Sequence, residues 1–273
     1  YHLVRLRRRV VRENLARALP ERAAEHGRIA REAYRGLGVC AFELLKASRA
    51  EPAELIARVH AEGLERFEAA RARGRGVIVV TAHLGSFDLL ACSQAARKVP
   101  LAIVSRRLGE GGANRVWMES RARLGLRIFP DRGSVLGLVR WLRAGKVLGL
   151  VADQRTRRER GGVLAPFFGH LVWTTTAPAR LALATGAALL PVRIERRDDG
   201  DHDLVVDPEI ELPAGDRERA TAELTARINR VLERWIAARP EAWMWHHRRF
   251  EGAERAPHAA DPDRSGRAAD ALE

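Results

Sequence analysis

Four continuous apolar runs constrain this chain more than any other feature: "GVIVVTAH", "PLAIVS", "KVLGLVAD" and "AALLPVRIER". A strand buried on both faces reads as an unbroken run of Val, Ile and Leu, and that burial belongs to parallel sheets covered by helices. Helical stretches separate the runs. "GSFDLLACSQAARK", "ANRVWMESRARLG", "GSVLGLVRWLRAG" and "TTTAPARLALATG" each read as a helix, with Ser86 and Ser134 at N-cap positions. "LRIFP" reads as a short strand, "GVLAPFFG" as extended, and "DHDLVVDPEIEL" as a continuation of the sheet. Strands alternating with helices predict an α/β fold: a mixed, largely parallel central sheet flanked by helices, with an N-terminal helical segment.

Three parts follow from the pattern. Residues 1–75 read as helices packed on the catalytic domain. "LVRLRRRVVRENLARAL" repeats apolar residues at helical spacing and ends at Pro20, "IAREAYRGLGVCAFELL" continues the pattern, and "EPAELIARVHAEGLERFEAARARG" reads as a third helix closing at Gly74. Residues 76–250 form the α/β domain and close with the amphipathic "RERATAELTARINRVLERWIAARP" and the aromatic "EAWMWHHRRF", where Trp243 and Trp245 read as packed anchors. Residues 251–273 have no periodic apolar pattern and read as a disordered, dispensable tail.

Composition narrows the function classes. The two cysteines, Cys40 and Cys92, make neither a disulfide framework nor a zinc ribbon. A net charge of +13 favours polyanions: nucleic acid, anionic lipid or an acidic carrier protein. Aromatic residues are 5% of the chain, too few to interleave as stacking platforms for single strands. A basic nucleic-acid or lipid-binding protein is the non-enzyme alternative; His83 and Asp153 at strand ends argue against it, since binding phosphate needs neither, and nucleic acid is not expected as a partner. No apolar run reaches the roughly 20 residues of a membrane span. The first helix, with Leu3, Leu6, Val10 and Leu15 on one face and Arg5, Arg8, Arg9 and Arg12 around it, predicts peripheral attachment to an anionic bilayer.

Catalytic groups in open α/β sheets collect at the carboxyl ends of strands. His83 stands just past the first run and Asp153 just past another, in "GLVADQR". Asp88 follows His83 by five residues, close enough to fold back across a turn onto the ring. A carboxylate on one ring nitrogen fixes the tautomer and frees the other as a base. The plain alternative is a capped loop histidine. A closed metal set is missing, so no metal is expected. No Gly-x-Ser-x-Gly elbow, Walker loop or Gly-rich dinucleotide turn is present. The basic loop after Asp153 carries Arg155, Arg157, Arg158 and Arg160, either solvated or placed to bind phosphate on a substrate or lipid headgroup.

Together "HLGSFD", "VADQRTRRERGGVLAPFFG", "TTTAPARLALATGAALLPV" and "PEAWMWHHRRF", in this order, resemble the bacterial lipid A biosynthesis acyltransferases, a family that includes phosphatidylinositol mannoside acyltransferases. The resemblance implies that His83 is the general base and Asp88 its orienting carboxylate. It implies functional roles for Arg121, on phosphate or an oxyanion, and for Asp153, on an arginine or the acceptor. It implies an acyl thioester donor, acyl carrier protein or coenzyme A, with no other cofactor, and a glycolipid, lipid A precursor or lysolipid acceptor. It further implies the cytoplasmic face of the bacterial inner membrane, reached peripherally or through an anchor preceding Tyr1. The family often reads His-x-Gly-Asn-Trp-Glu where this chain has Ser86, Phe87 and Asp88, and the Asp form leans toward the phosphatidylinositol mannoside enzymes.

Overall fold

The structure, a computed structural model, describes residues 7–105 and 121–255. Seven strands form the main sheet: β1 (Val59–Glu62), β2 (Val77–Thr81), β3 (Leu101–Ser105), β4 (Arg127–Pro130), β5 (Val147–Val151), β8 (Ala188–Arg196) and β9 (His202–Val206). Their order is β1-β9-β8-β2-β5-β3-β4. Every neighbouring pair is parallel except β8–β9, a hairpin. The mixed, largely parallel sheet expected from the apolar runs is therefore present. β2, the central strand, is buried along its whole length. Two apolar clusters cover the sheet, one built on Ile78, Val80 and Leu148 and the other on Val77, Val79 and Val147. This is the inside–outside alternation of a strand buried on both faces.

The helices are α1 (Arg8–Ala18), α2 (His26–Ala47), α3 (Pro52–Ala57), α4 (Leu64–Ala72), α5 (Phe87–Ala96), α6 (Val135–Arg143), α7 (Ala177–Thr185) and α8 (Arg217–Ala238). Two expectations change. The third N-terminal helix is broken: α3 ends at Ala57, β1 joins the sheet edge beside β9, and α4 starts after Gly63. Gly63 has φ 71°, and a Cβ there would lie 2.5 Å from the Val206 carbonyl oxygen, so a continuous helix cannot pass. Arg58 secures the break by donating to Asp201 at 3.2 Å and to the Gly200 carbonyl at 2.8 Å. The second change concerns "HLVWTT", which forms β7 (His170–Thr175) and pairs with β6 (Gly162–Phe167) in a separate antiparallel sheet; the helix that follows starts only at Ala177. The third strand of that sheet, β10 (Glu254–Arg255), lies within the expected tail; residues 256–273 are outside the described residues. Most of the "ANRVWMESRARLG" helix is also outside them, and Arg121–Arg123 are helical.

The amphipathic side of α1 faces protein, not lipid. Val11, Leu15 and Ala18 are buried, while Leu3 and Leu6 lie outside the described residues. Asn14, on the same face, donates to the carbonyls of Trp245 at 2.8 Å and His247 at 2.7 Å. Arg17 donates to the Phe250 carbonyl at 2.6 Å. From the other side, the buried Arg249 donates to the Trp173 carbonyl at 2.7 Å and to Thr174 Oγ1 at 2.9 Å, with its guanidinium 4.6 Å from the Phe167 ring centre. Burial pulls the Arg249 guanidinium down to about 10. The "WMWHHRRF" segment is thus clamped between α1 and the β6–β7 hairpin.

Asn14→Ala leaves the buried Trp245 carbonyl without a partner, while the His247 carbonyl keeps the Arg249 N–H, and the loss costs about 1–3 kcal/mol. Urea unfolding is expected to show a lowered midpoint at unchanged slope. An unchanged midpoint would mean that this contact does not hold α1 in place.

Candidate active site

The site is built where β2 and β5 end. The two strands are adjacent and parallel, with Thr81 opposite Val151. Two residues beyond each partner stand His83 and Asp153, so the register itself brings them together. His83 Nδ1–H donates to Asp153 Oδ1 at 2.7 Å, and the His83 backbone N–H donates to Oδ2 at 2.9 Å. The Trp243 indole N–H donates to the same Oδ2 at 2.7 Å. Asp153 is 2% exposed, and these three donors offset what burying its charge costs. Burial alone would raise its pKa; His83 and the Trp243 hydrogen bond outweigh that and hold it well below the usual carboxylate range. For His83, burial favours the neutral ring, but the charge and hydrogen bond of Asp153, assisted by the charge of Asp88, leave its pKa above the ordinary histidine value.

The carboxylate that orients His83 is therefore Asp153, not Asp88. Asp88 sits in the first turn of α5 and forms an ion pair with Arg121. Its side chain is 15% exposed and that of Arg121 is 4% exposed. A helix starts at Phe87, so Asp88 is carried away from the turn that holds the imidazole. It acts on His83 through its charge. Arg121 is drawn to the same wall of the site by this pair, as a partner of Asp88. Ser86 occupies the N-cap position of α5 without capping it; its hydroxyl is hydrogen-bonded to Glu43.

The loop bearing His83 is fixed on its far side. The Met244 N–H donates to the His83 carbonyl at 3.0 Å and the Gly85 N–H to the Ala242 carbonyl at 2.9 Å, so residues 83–85 run beside residues 242–244. The Phe87 ring meets the imidazole edge-on at 4.7 Å. Nε2 remains on the cavity side, with the Gln154 side-chain amide 3.2 Å away. Sequence reasoning missed Gln154 and the polar role of Trp243. The signal for Trp243 was its N–H: a buried indole must find an acceptor.

Two cavities meet at His83 and Phe87. The first, about 630 Å³, runs over the sheet face that α4 and α5 cover, with apolar walls from Phe67, Val79, Leu90, Ile103, Val192 and Leu204. Asp88, Arg121, Gln154 and Arg160 supply polar groups. The second, about 360 Å³, lies between α2 and the 242–246 segment, and Glu43, Ser86 and Arg196 supply part of its polar lining. The basic loop divides differently from expectation. Arg160 lines the first cavity; Arg155 pairs with Glu251 at 2.8 Å, and Arg157 and Arg158 are exposed outside the walls of either cavity. No group of metal-ligating side chains is found among the described residues.

Residues 2–251 match the family model described as bacterial lipid A biosynthesis acyltransferase. The chain belongs to the bacterial lipid A biosynthesis acyltransferase family. It is 29% identical over 251 residues to the lipid A biosynthesis palmitoleoyltransferase of Escherichia coli, covering 90% of this chain and 79% of that one. It is 30% identical over 193 residues to the lipid A biosynthesis lauroyltransferase of the same organism, covering 69% and 60%. The phosphatidylinositol mannoside acyltransferase of Mycobacterium tuberculosis is 30% identical over 187 residues, covering 66% of this chain and 56% of its own. The acyltransferase family expected from the sequence is thus shown, and the chain is an enzyme that transfers acyl groups.

The geometry predicts how His83 titrates. Replacing Asp153 with Asn removes the opposing charge and leaves the burial, so the imidazole pKa is expected to fall below the ordinary histidine value. Asp88→Asn should lower it less, because Asp88 makes no hydrogen bond to the ring. NMR titration of the folded variants measures both. An unshifted His83 in Asp153→Asn would break the assignment of Asp153 as the orienting group.

Proposed function

We propose that this acyltransferase moves a fatty acyl chain from an acyl thioester to a hydroxyl of a glycolipid, with His83 as general base and Asp153 as its orienting carboxylate. The observation that carries the reading is an imidazole locked through Nδ1 at the meeting point of two cavities. Its other nitrogen, Nε2, lies where a hydroxyl and a carbonyl can meet.

The chemistry follows from that nitrogen. Nε2 accepts the proton of the acceptor hydroxyl as its oxygen attacks the thioester carbonyl. The tetrahedral intermediate collapses, the C–S bond breaks, and the leaving thiolate takes the proton back from Nε2–H. An ester and a free thiol result, with no acyl-enzyme. Asp153 stabilises the imidazolium formed between the two steps and keeps the tautomer correct. The apolar cavity suits the acyl chain, since burying each methylene is worth about 0.8 kcal/mol. The second cavity, with Glu43, Ser86 and Arg196 in its walls, suits a hydroxylated headgroup. A donor carried by acyl carrier protein or coenzyme A is anionic and complements the +13 charge. Arg160, exposed in the wall of the acyl cavity, supports contact with such a donor, whereas the charge of Arg121 is taken up by Asp88. The acceptor is a lipid A precursor or, as the second reading, a phosphatidylinositol mannoside or other lysolipid. The Asp in "HLGSFD" and the likeness to the mycobacterial enzyme favour that second reading. No helix among the described residues is long and apolar enough to cross a membrane, so these residues would reach a lipid acceptor, at the cytoplasmic face of the inner membrane, from its surface.

His83→Ala is expected to lower turnover of a long-chain acyl thioester by about 10²–10⁴-fold while remaining folded, with a melting temperature lowered by the loss of one of the three donors to the buried Asp153. Near-normal turnover by the folded variant would sink the mechanism. Asp153→Asn should lose nearly as much. Its amide oxygen can keep the two Oδ2 donors, which turns the NH₂ toward Nδ1 and moves the ring proton to Nε2. The double variant should be little worse than His83→Ala, because the two groups act as a unit.

The pH profile has a definite sign. The base must be neutral and its pKa is raised, so kcat/KM should fall as pH drops through a value above the ordinary histidine range. An acid limb at or below that range would contradict the assignment.

A further inference from the structure

The outward side of α2 carries large apolar side chains that no described residue covers. Leu37, Phe42 and Leu45 are 36%, 64% and 51% exposed. Arg31, Arg35, Gly38, Phe42, Leu45 and Arg49 follow one another at steps of three or four residues, which places them on one stripe of the helix surface and its extension. Lys46 is exposed beside it. The stretch from residue 31 to residue 49 exposes one carboxylate, the 39% exposed side chain of Glu32, and that one is paired with Arg28. The other, Glu43, is partly buried and paired with Arg196. An exposed apolar strip edged by cations that are unpaired among the described residues, with its one exposed carboxylate already paired, is the pattern of a helix that lies in the headgroup layer of a bilayer.

We propose that this face of α2 docks the protein on an anionic lipid bilayer. Phe42 and Leu45 enter the headgroup–acyl boundary, and Arg31, Arg35, Lys46 and Arg49 meet lipid phosphates. Charge complementarity selects this occupant over a second copy of the chain. A two-fold contact would set the same four cations against each other, and like charges across an interface are unfavourable. The same helix also walls the second cavity: Leu37, Val39, Cys40 and Glu43 line the space that reaches His83. A groove beside Phe42 is edged by Arg35, Lys46, Arg58 and Arg196. Docking through Phe42 and Leu45 therefore sets the mouth of that cavity at the level of the headgroups. A lipid acceptor can then approach His83 without leaving the bilayer surface. The docking itself stands apart from the acyl-transfer reading, because it is measured without substrate.

The test is co-sedimentation of the full chain with vesicles of phosphatidylcholine alone and of phosphatidylcholine mixed with phosphatidylglycerol. Wild type should bind the mixed vesicles and lose binding as salt rises. Phe42→Ser with Leu45→Ser should reduce partitioning about tenfold or more, since two apolar side chains no longer enter the boundary. Arg31→Gln, Lys46→Gln and Arg49→Gln together should reduce it about a hundredfold, at roughly fivefold per basic residue. Arg217→Gln, Arg219→Gln and Arg230→Gln remove the same charge from α8 and should change it little. Equal loss in the α8 control would overturn the proposal in favour of diffuse attraction. A wild type that ignores anionic vesicles would also overturn it, as would a serine pair that dissociates a dimer while still binding lipid. Acyl transfer to detergent-dispersed acceptor should be retained by the serine pair. An inactive wild type would instead count against the acyl-transfer reading and leave the sedimentation result standing.

Discussion

A buried carboxylate organises this molecule. Asp153 lies just past the end of β5 with 2% of its surface exposed, and it accepts hydrogen bonds from His83 and Trp243 at the candidate site. An isolated charge at such a depth is prohibitive; a paired and fully hydrogen-bonded one is tolerated. Its donors come from two places far apart in sequence: the turn after β2, through His83, and the C-terminal segment, through Trp243. The cost of leaving Asp153 unsatisfied therefore couples the order of the central strands to the position of residues 242–246.

That coupling explains why the chain invests so many contacts in "WMWHHRRF". Asn14 and Arg17 from α1 hold its carbonyls, Arg249 anchors it to β7, and the Met244 N–H binds the His83 carbonyl. The N-terminal helix thus supports the site from two layers away. Val11, Leu15 and Ala18 are buried in this support and are not available to lipid.

Electrostatics at the site separate two carboxylates that look interchangeable in the sequence. Asp153 hydrogen-bonds the imidazole and keeps it basic, while Asp88 neutralises Arg121 and contributes charge from a distance. His83, Asp88 and Arg121 all line the apolar cavity. One pair joins a carboxylate to an imidazole and the other joins a carboxylate to a guanidinium, and their different burial and partners set the division.

The sequence by itself determined the class of fold, because continuous apolar runs are consistent with strands buried on both faces and little else that is so short. It also singled out the candidate site, because His83 and Asp153 each follow a strand in a sheet of the kind that gathers ligands at its carboxyl ends. What the tertiary structure decided was adjacency. Nothing local says that β2 and β5 are neighbours with Thr81 opposite Val151, and that register gives Asp153 the role that the five-residue spacing suggested for Asp88. The break at Gly63 was equally invisible, since residues 52–74 keep helical periodicity and only the open edge of β9 and the crowding at the Val206 carbonyl turn Val59–Glu62 into a strand. Helical and strand patterns are read from neighbours along the chain. Which carboxylate reaches a histidine depends on neighbours across the sheet, and there the strand pairing, not the spacing, sets the distance.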